Sequence, residues 1–419
     1  MKPSRVRFTV SGAADLTTNP GGFKRALIAI GALTVLLVML AAASAAPARA
    51  ATAGWSIQPT PTPAAGGVLS GVSCTSAMAC TAVGSYVNSS SGVQQTLAEG
   101  WNGTKWSIQT TQNPPGATSS VLSGVSCTST MGTSTMACTA VGSYVNSSSG
   151  VQQTLAEQWN GTTWVIVPTP NQGTSVLSGV SCTSATACTA VGQTNNGRPG
   201  ALAEQWDGTT WVIEPTPFPT QYRALFSFLL SGVSCALNGC TAVGQSTGWV
   251  CNGSPSCRNC IQLPGCTIRQ ETLAERWDGS TWTIQPTPYA PPLFGVSCAT
   301  PTACTAVGHY PDGTIAESWD GSRWAVNATS ENLTNSSGIL SGVSCTTADA
   351  CVAVGQAKGT TLAERSTPDW LIQPTLNPSG ATSSQLTSVS CATSAACTAV
   401  GYYANSADTD QTLAERYAG

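Results

Sequence analysis

Three observations predict an all-β fold made of seven four-stranded units closed into a ring. A Val-Ser-Cys element recurs along the body with its Cys at 74, 127, 182, 235, 298, 345 and 391, at spacings of 46 to 63 residues. Each unit contains four short segments rich in Val, Ile, Trp, Thr and Leu, separated by Gly, Ser, Asn and Asp turns. The last unit lacks its fourth segment, and a matching segment stands at the start of the body. Four strands in roughly 50 residues is the pattern of a β-propeller blade. Helical periodicity is absent after residue 50.

Residues 1–50 read as a separate element. Lys24-Arg25 precede an apolar run at 26–46, and Pro47-Ala-Arg-Ala50 follows with small residues at the A-x-A positions. A basic region, an apolar core and a small-residue cleavage site form an export signal. Left uncut, residues 26–46 are long enough to anchor the chain in a membrane. Either way residues 51–419 are expected outside the cytoplasm, secreted or at the cell surface.

One unit illustrates the repeat. Strand a is Leu177-Ser-Gly-Val-Ser-Cys182, strand b Ala187-Cys-Thr-Ala-Val-Gly192, strand c Leu202-Ala-Glu-Gln-Trp206 and strand d Trp211-Val-Ile-Glu214. A Cys ending strand a and a Cys opening strand b face each other across a hairpin. Opposed residues there lie about 4.5–5.5 Å apart, within disulfide range. The expected pairs are Cys74/Cys80, Cys127/Cys138, Cys182/Cys188, Cys235/Cys240, Cys298/Cys304, Cys345/Cys351 and Cys391/Cys397. Each closes a short loop and contributes about 2 kcal/mol. Four further cysteines, Cys251, Cys257, Cys260 and Cys266, lie in an insertion at about 245–271 within the b–c connection of the fourth unit. In an exported chain they read as two disulfides with connectivity open, and a four-thiolate zinc knuckle is the alternative. No other metal and no cofactor is expected.

The chain stops after strand c of the last unit, at Thr412-Leu-Ala-Glu-Arg-Tyr417, while Trp55-Ser-Ile-Gln-Pro-Thr-Pro61 matches Trp282-Thr-Ile-Gln-Pro-Thr-Pro288. Seven complete blades therefore require the first strand to close the last blade. An open array would need capping repeats instead. Proline after strand d fits an outer edge strand, where no ladder N–H is needed.

Composition narrows function. Of 419 residues only 8% are charged, and residues 51–419 hold 10 basic against 18 acidic side chains. Such a surface argues against nucleic acid. The single histidine, His309, leaves little for a metal site or a Ser/His/Asp triad.

The turn Trp206-Asp-Gly-Thr-Thr-Trp211 resembles the Asp-box of bacterial neuraminidase-type repeats and, loosely, the tryptophan-bearing turn of kelch blades. It lacks one residue between Asp and Gly, Asn102 and Asn160 replace Asp in two units, and the kelch double glycine is missing. From about residue 55 to 419 the body looks like secreted bacterial propellers carrying G-V-S-C…C-x-A-V-G units, whose function is generally unassigned. The resemblance implies structural turns and imports no sialidase activity.

Candidate site residues are weighed against their packing roles. Seven Glu residues (Glu99, Glu157, Glu204, Glu275, Glu317, Glu364, Glu415) sit on strand c, too far from the axis to converge on one ion, so each is expected to hydrogen-bond a neighbouring strand or turn. The Trp pairs around the c–d turn are expected to pack between blades. Variation concentrates at the b–c and d–a loops. There Tyr222, Arg223 and Phe226 enter the fourth unit, Trp249, Arg258 and Arg269 flank or occupy its insertion, and His309 and Tyr310 end strand b of the fifth. Aromatic and Arg side chains on a rigid scaffold suit a ligand or partner. A non-catalytic binding or adhesion module, monomeric, with an extracellular glycan or protein ligand, is the first reading. A carbohydrate-active propeller enzyme of the sialidase type or another glycan-processing type is the alternative.

Overall fold

The computed structural model describes residues 53–419 apart from 130–135, 220–223, 238, 252–265, 289–291, 311–312, 328, 330–337 and 368. Every regular element among the described residues is a strand. Strand β1 is Gly54–Gln58. Unit 1 comprises β2 (Gly67–Ser76), β3 (Ala79–Val87), β4 (Gln94–Trp101) and β5 (Trp106–Gln109). Unit 2 comprises β6 (Ala117–Ser129), β7 (Met136–Asn146), β8 (Gln152–Trp159) and β9 (Trp164–Val167). Unit 3 comprises β10 (Thr174–Ser184), β11 (Ala187–Asn195), β12 (Pro199–Trp206) and β13 (Trp211–Glu214). Unit 4 comprises β14 (Ala224–Ala236), β15 (Gly239–Cys251), β16 (Cys266–Trp277) and β17 (Trp282–Ile284). Unit 5 comprises β18 (Leu293–Thr300), β19 (Ala303–Tyr310), β20 (Gly313–Trp319) and β21 (Trp324–Asn327). Unit 6 comprises β22 (Ile339–Cys345), β23 (Cys351–Ala357), β24 (Thr360–Ser366) and β25 (Trp370–Gln373). Unit 7 comprises β26 (Ser383–Thr393), β27 (Ala396–Ala404) and β28 (Asp410–Ala418).

Each unit is an antiparallel sheet in chain order, and units 1 and 2 are additionally bridged by a single parallel pair, Gln94 with Ser119. Unit 7 takes its fourth strand from the other end of the body: β1 pairs with β28 from Gly54↔Ala418 to Gln58↔Ala414. The strand-sharing expected from the sequence is thus present.

The Val-Ser-Cys element explains how neighbouring units are joined. The Cys127 N–H donates to Ser73 Oγ of the unit before it at 2.9 Å. The same bond recurs from Cys182 to Ser126, Cys235 to Ser181, Cys298 to Ser234, Cys345 to Ser297 and Cys391 to Ser344, at 2.9–3.0 Å. Cys74 N–H donates to Ser390 Oγ at 2.9 Å, so the series returns from unit 7 to unit 1. The apolar cores follow the same order. Val141 and Ala156 of unit 2 pack with Leu177, Val180 and Trp211 of unit 3, and Val400 and Ala414 of unit 7 pack with Leu69 and Trp106 of unit 1. The core therefore lies between sheets, as expected when each sheet buries both faces.

The seven strand a/strand b cysteine pairs are disulfides, with opposed Cα atoms 3.9–4.0 Å apart, closer than the spacing expected from strand geometry. The two halves of each bridge are not equivalent. The strand-a cysteines are half-buried, whereas the strand-b cysteines Cys80, Cys138, Cys188, Cys240, Cys304, Cys351 and Cys397 are all buried in the core between units. Their sulfurs meet a neighbouring unit's hydroxyls. Thr398 reaches Cys80 at 3.6 Å, Thr81 reaches Cys138 at 3.7 Å and Thr241 reaches Cys304 at 3.5 Å. A bridged sulfur has no proton, so the threonine donates each of these weak bonds. Cys397 instead packs with Trp55 of β1 and Val352 of unit 6. The cause is the alternation of strand b, whose Cys and second Ala share one face and bury together. These cysteines belong to the core between units, and Cys188 and Cys240 also back a cleft between units 3 and 4. Cys257 and Cys260 lie outside the described residues. The ladder places Cys251 directly opposite Cys266.

Two glycine positions have steric causes. Strand a carries a register shift after its Leu in every unit, for example between Leu177 and Gly179. The shift drives a strand-a carbonyl against strand b at the Gly of Ala-Val-Gly. A Cβ at Gly192 would lie 1.9 Å from Val176 O. On strand a itself, a Cβ at Gly124 would meet Gly179 Cα of the next unit at 3.2 Å. Ser-Gly-Val triplets from five units, Phe294-Gly-Val of unit 5 and Thr387-Ser-Val of unit 7 line one shared cavity of about 170 Å³.

Gly192→Ala is expected to cost about 3 kcal/mol, because the carbonyl it meets belongs to a paired strand and cannot retreat. Ser126→Ala, which removes one acceptor between units, is expected to cost about 1–2 kcal/mol. Urea unfolding of both variants checks the order.

Candidate functional site

Unit 4 departs most from the repeat. In unit 3 the pairing of strands b and c ends at Asn195↔Pro199, and in unit 5 at Tyr310↔Gly313. In unit 4 it runs on through Gly248↔Arg269, Trp249↔Ile268 and Val250↔Thr267 to Cys251↔Cys266. The added residues are largely β-branched, aromatic and small, which suits a two-stranded ribbon. Arg269 and Ile268 are exposed and Trp249 is half-buried, paired on its other side with Ala224. Phe218 is exposed and meets the buried Phe228 edge-on at 5.9 Å.

Trp249 and Arg269 stand on neighbouring rungs of the ribbon, opposite Ile268 and Gly248 respectively and so on opposite faces, and Phe226 falls within β14. His309 is half-buried in β19, its Nδ1 3.1 Å from Gly338 O, and Tyr310 beside it is exposed. Tyr222, Arg223 and Arg258 lie outside the described residues. Among the described residues no three His, Cys, Asp or Glu side chains converge as metal ligands.

The c–d turns are built by their Asp or Asn. Asp207 Oδ1 accepts from the N–H groups of Thr209 and Thr210 at 2.7 and 2.8 Å, and Asn102 and Asn160 do the same in units 1 and 2. The hydroxyls and amides of these turns hold Asp207, Asp278 and Asp320 at a pKa of about 2. Gly103, Gly161, Gly208, Gly279 and Gly321 adopt φ between 93° and 103° there, so the turn is structural. The flanking tryptophans pack as tilted pairs, 5.7–5.9 Å between rings.

The glutamates correct one expectation. All seven are fully buried between units. Glu157 accepts weakly from Gln112 N and Glu415 from Leu376 N, both at 3.4 Å, and Glu364 Oε1 accepts from the Thr314 hydroxyl at 2.9 Å. In Glu99, Glu204, Glu275 and Glu317 both oxygens lack a partner among the described residues. The cause is legible in the loop after strand d of the preceding unit. Where that loop offers Gln112 or Leu376, its N–H reaches the carboxyl. Where the sequence is Pro-Thr-Pro, the equivalent residue is Pro61, Pro170, Pro217 or Pro288, which has no N–H. The intervening Thr serves strand c instead, as Thr216 Oγ1 does at Ala201 O (3.1 Å). Burial pushes Glu99, Glu204 and Glu275 up to about 8, and Glu157, Glu317 and Glu415 to about 7.

A second cavity escaped sequence reasoning. It holds about 590 Å³ between units 3 and 4, at the end of the strands that carries the a–b and c–d turns, and Gln205, Trp206, Leu237, Trp277 and Asp278 line it. A sequence signal exists: unit 4 alone has C-x4-C, with Cys235 and Cys240 five positions apart.

No family model and no curated protein matches this chain. Among solved structures it is similar to YCF48 bound to a D1 peptide, at 11% identity and a TM-score of 0.52, covering 88% of this chain and 96% of that one. It is also similar to U3-55K, at 10% identity and a TM-score of 0.50, covering 87% and 98%. The β-propeller domain of the Trilobed protease from Pyrococcus furiosus follows, at 7% identity and a TM-score of 0.49, covering 84% and 97%. The likeness to the first two shows the fold alone: repeated four-stranded antiparallel sheets of the propeller kind.

The buried carboxyls give stability a definite pH dependence. Their folded pKa of 7–8 lies above the ordinary 4.5, so the folded state binds more protons between these values. Their contribution is fully present below about pH 4.5 and is lost as pH rises through 7–8. The turn aspartates act oppositely, contributing above 3.8 and losing that as pH falls through about 2. The thermal midpoint should therefore peak between about pH 4 and pH 5 and fall steadily to pH 9. Glu204→Gln, which cannot ionise, and Pro170→Ala, which restores an N–H, should each flatten the alkaline fall. A midpoint that rises from pH 5 to pH 9 would remove this account.

Proposed function

We propose that this chain is an exported, closed, seven-bladed propeller that binds an extracellular polypeptide without transforming it. Residues 1–50 serve as the export signal and residues 51–419 form the propeller. The seven disulfides fit an oxidising compartment. The hydrogen bond from Cys74 to Ser390 and the β1–β28 ladder support closure within one chain, for which a monomer suffices.

The observation that carries a binding role is the ribbon of unit 4. Six units spend their repeated Ser, Thr, Asp and Trp side chains on turns and on contacts between sheets. Unit 4 extends two paired strands beyond that frame and carries Trp249, Ile268 and Arg269 on them. Aromatic and Arg groups on a braced ribbon supply contact area at low ordering cost. The propeller of YCF48 is seen bound to a D1 peptide, which supports a polypeptide as the class of ligand.

A displayed-peptide library and a glycan array, each followed by an assay for cleavage of whatever is retained, test this reading. Peptide retention without turnover is expected, weakened at least fivefold by Arg269→Ala. Turnover of a retained glycan would replace it with a carbohydrate-active enzyme. Unchanged affinity in both Arg269→Ala and Trp249→Ala would remove the ribbon from the site.

A further inference from the structure

Strand c ends in every unit with Ala-Glu, one variable residue, and then Trp, Tyr or Ser. The variable residue is Gly100, Gln158, Gln205, Arg276, Ser318, Arg365 or Arg416 in units 1 to 7. Where it is Arg, its guanidinium crosses to the next unit and lies over that unit's aromatic ring. Arg276 covers Trp319 at 5.0 Å, Arg365 covers Tyr417 at 4.9 Å and Arg416 covers Trp101 at 4.6 Å. Two of the three also donate to a backbone carbonyl in the next unit's a–b turn, Arg365 to Ser394 O and Arg416 to Ala77 O. The protein therefore contains its own template for seating an arginine: an aromatic face with a turn beside it.

Between units 3 and 4 the template is present without its arginine. The variable residue is Gln205, and the cavity opens between it and Trp277. Trp319 and Trp101, under their arginines, are 7% and 5% exposed and Tyr417 is half-buried under Arg365, while Trp277 is half-buried with no guanidinium over it among the described residues. The a–b turn of unit 4 is one residue shorter than the commonest form, and Leu237 within it is 80% exposed with φ 54°. The wall also carries a carboxylate. Asp278 Oδ1 accepts from the N–H groups of Ser280 and Thr281 and from the Ser280 hydroxyl, while among the described residues Oδ2 meets only the Thr281 hydroxyl, at 3.5 Å.

We propose that the cleft between units 3 and 4 is a docking site for a polypeptide segment bearing an arginine, whose guanidinium stacks on Trp277 and pairs with Asp278. The ring favours a flat cation, and the carboxylate selects for its charge and against acidic or phosphate-bearing partners. At about 590 Å³ the cleft exceeds one side chain, so residues beside the arginine enter with it. This site lies at the opposite end of β15 from the ribbon, so it goes beyond the ribbon reading and each can fail alone.

The test uses the full-length protein and a labelled Gly-Ser-Arg-Gly-Ser peptide, with a twin in which citrulline replaces arginine, followed by fluorescence anisotropy. The citrulline twin should bind at least tenfold more weakly. Asp278→Asn keeps the turn, as Asn102 and Asn160 do in their units, and should weaken the arginine peptide at least fivefold. Gln205→Arg should place the protein's own guanidinium over Trp277 and abolish binding. Asp320→Asn, the same charge change in the turn of unit 5, should leave binding within twofold. Equal binding of the two peptides, binding of neither, or undiminished binding in Gln205→Arg and Asp278→Asn would overturn the proposal.

Discussion

The close approach of the seven inner strands is the constraint on which the rest of this molecule depends. Each strand must lie near enough to its neighbour for a Cys N–H to reach a Ser hydroxyl one unit away. That distance crowds a Cβ at Gly124, which would meet Gly179 Cα at 3.2 Å, and at its glycine counterparts. The same approach orients successive sheets so that the backward face of one buries the forward face of another, and the tryptophans fill the widening gap further out. Where unit 7 meets unit 1 the solution changes. Ser388 stands where the other units have Gly, and its hydroxyl accepts from Val72 N at 3.3 Å, while Thr387 donates to Leu69 O at 2.8 Å. Units 7 and 1 are thus tied by these polar bonds, while β1 completes the sheet of unit 7 beside β28.

Packing of this kind accommodates few alternatives, which accounts for the treatment of the glutamates. A carboxyl buried between two sheets can be neutral or hydrogen-bonded, and the chain uses both options. Units 1 and 2 share sixteen identical residues from Gly84 to Glu99 and from Gly142 to Glu157. Yet Glu157 has a backbone donor and Glu99 has none, because the preceding loops offer Gln112 and Pro61 respectively. Identical strands therefore bury carboxyls of different character, set by a neighbour rather than by their own sequence. Burial favours the neutral form of these carboxyls, so their contribution to stability declines as pH rises.

Much of the architecture was legible because it is local. Strand alternation, turn residues, the pairing of near cysteines and the misplaced strand d are all properties of short segments or of their count. The disulfides and the β1–β28 ladder stand where those signals put them. What stayed hidden depends on relations between units. The Ser in Val-Ser-Cys reads as an ordinary strand residue until the next unit is beside it. The sulfurs of Cys80, Cys138, Cys304 and Cys397 read as hairpin staples until adjacent sheets close over them. The Gly in Ala-Val-Gly reads as a strand end until the shift after Leu177 presses a carbonyl against it. The ribbon of unit 4 looked like a loop insertion, since Trp249 to Cys251 and Cys266 to Arg269 give no obvious register until they are paired.

A repeat supplies its own controls, and this gives the departures their meaning. In a single-copy fold, Gln205 beside Trp277 would be one contact among many. Here the equivalent position holds Arg in three other units, and in each the guanidinium covers the next unit's aromatic ring. The open face of Trp277 is then a specific absence whose missing chemistry is known from the same molecule. The turn before Cys240 is likewise one residue shorter than those of units 3 and 5 on either side. Sites on such scaffolds are read best as unfilled members of a filled series, since the filled members state the geometry, the charge and the partner atoms that an incoming group must reproduce.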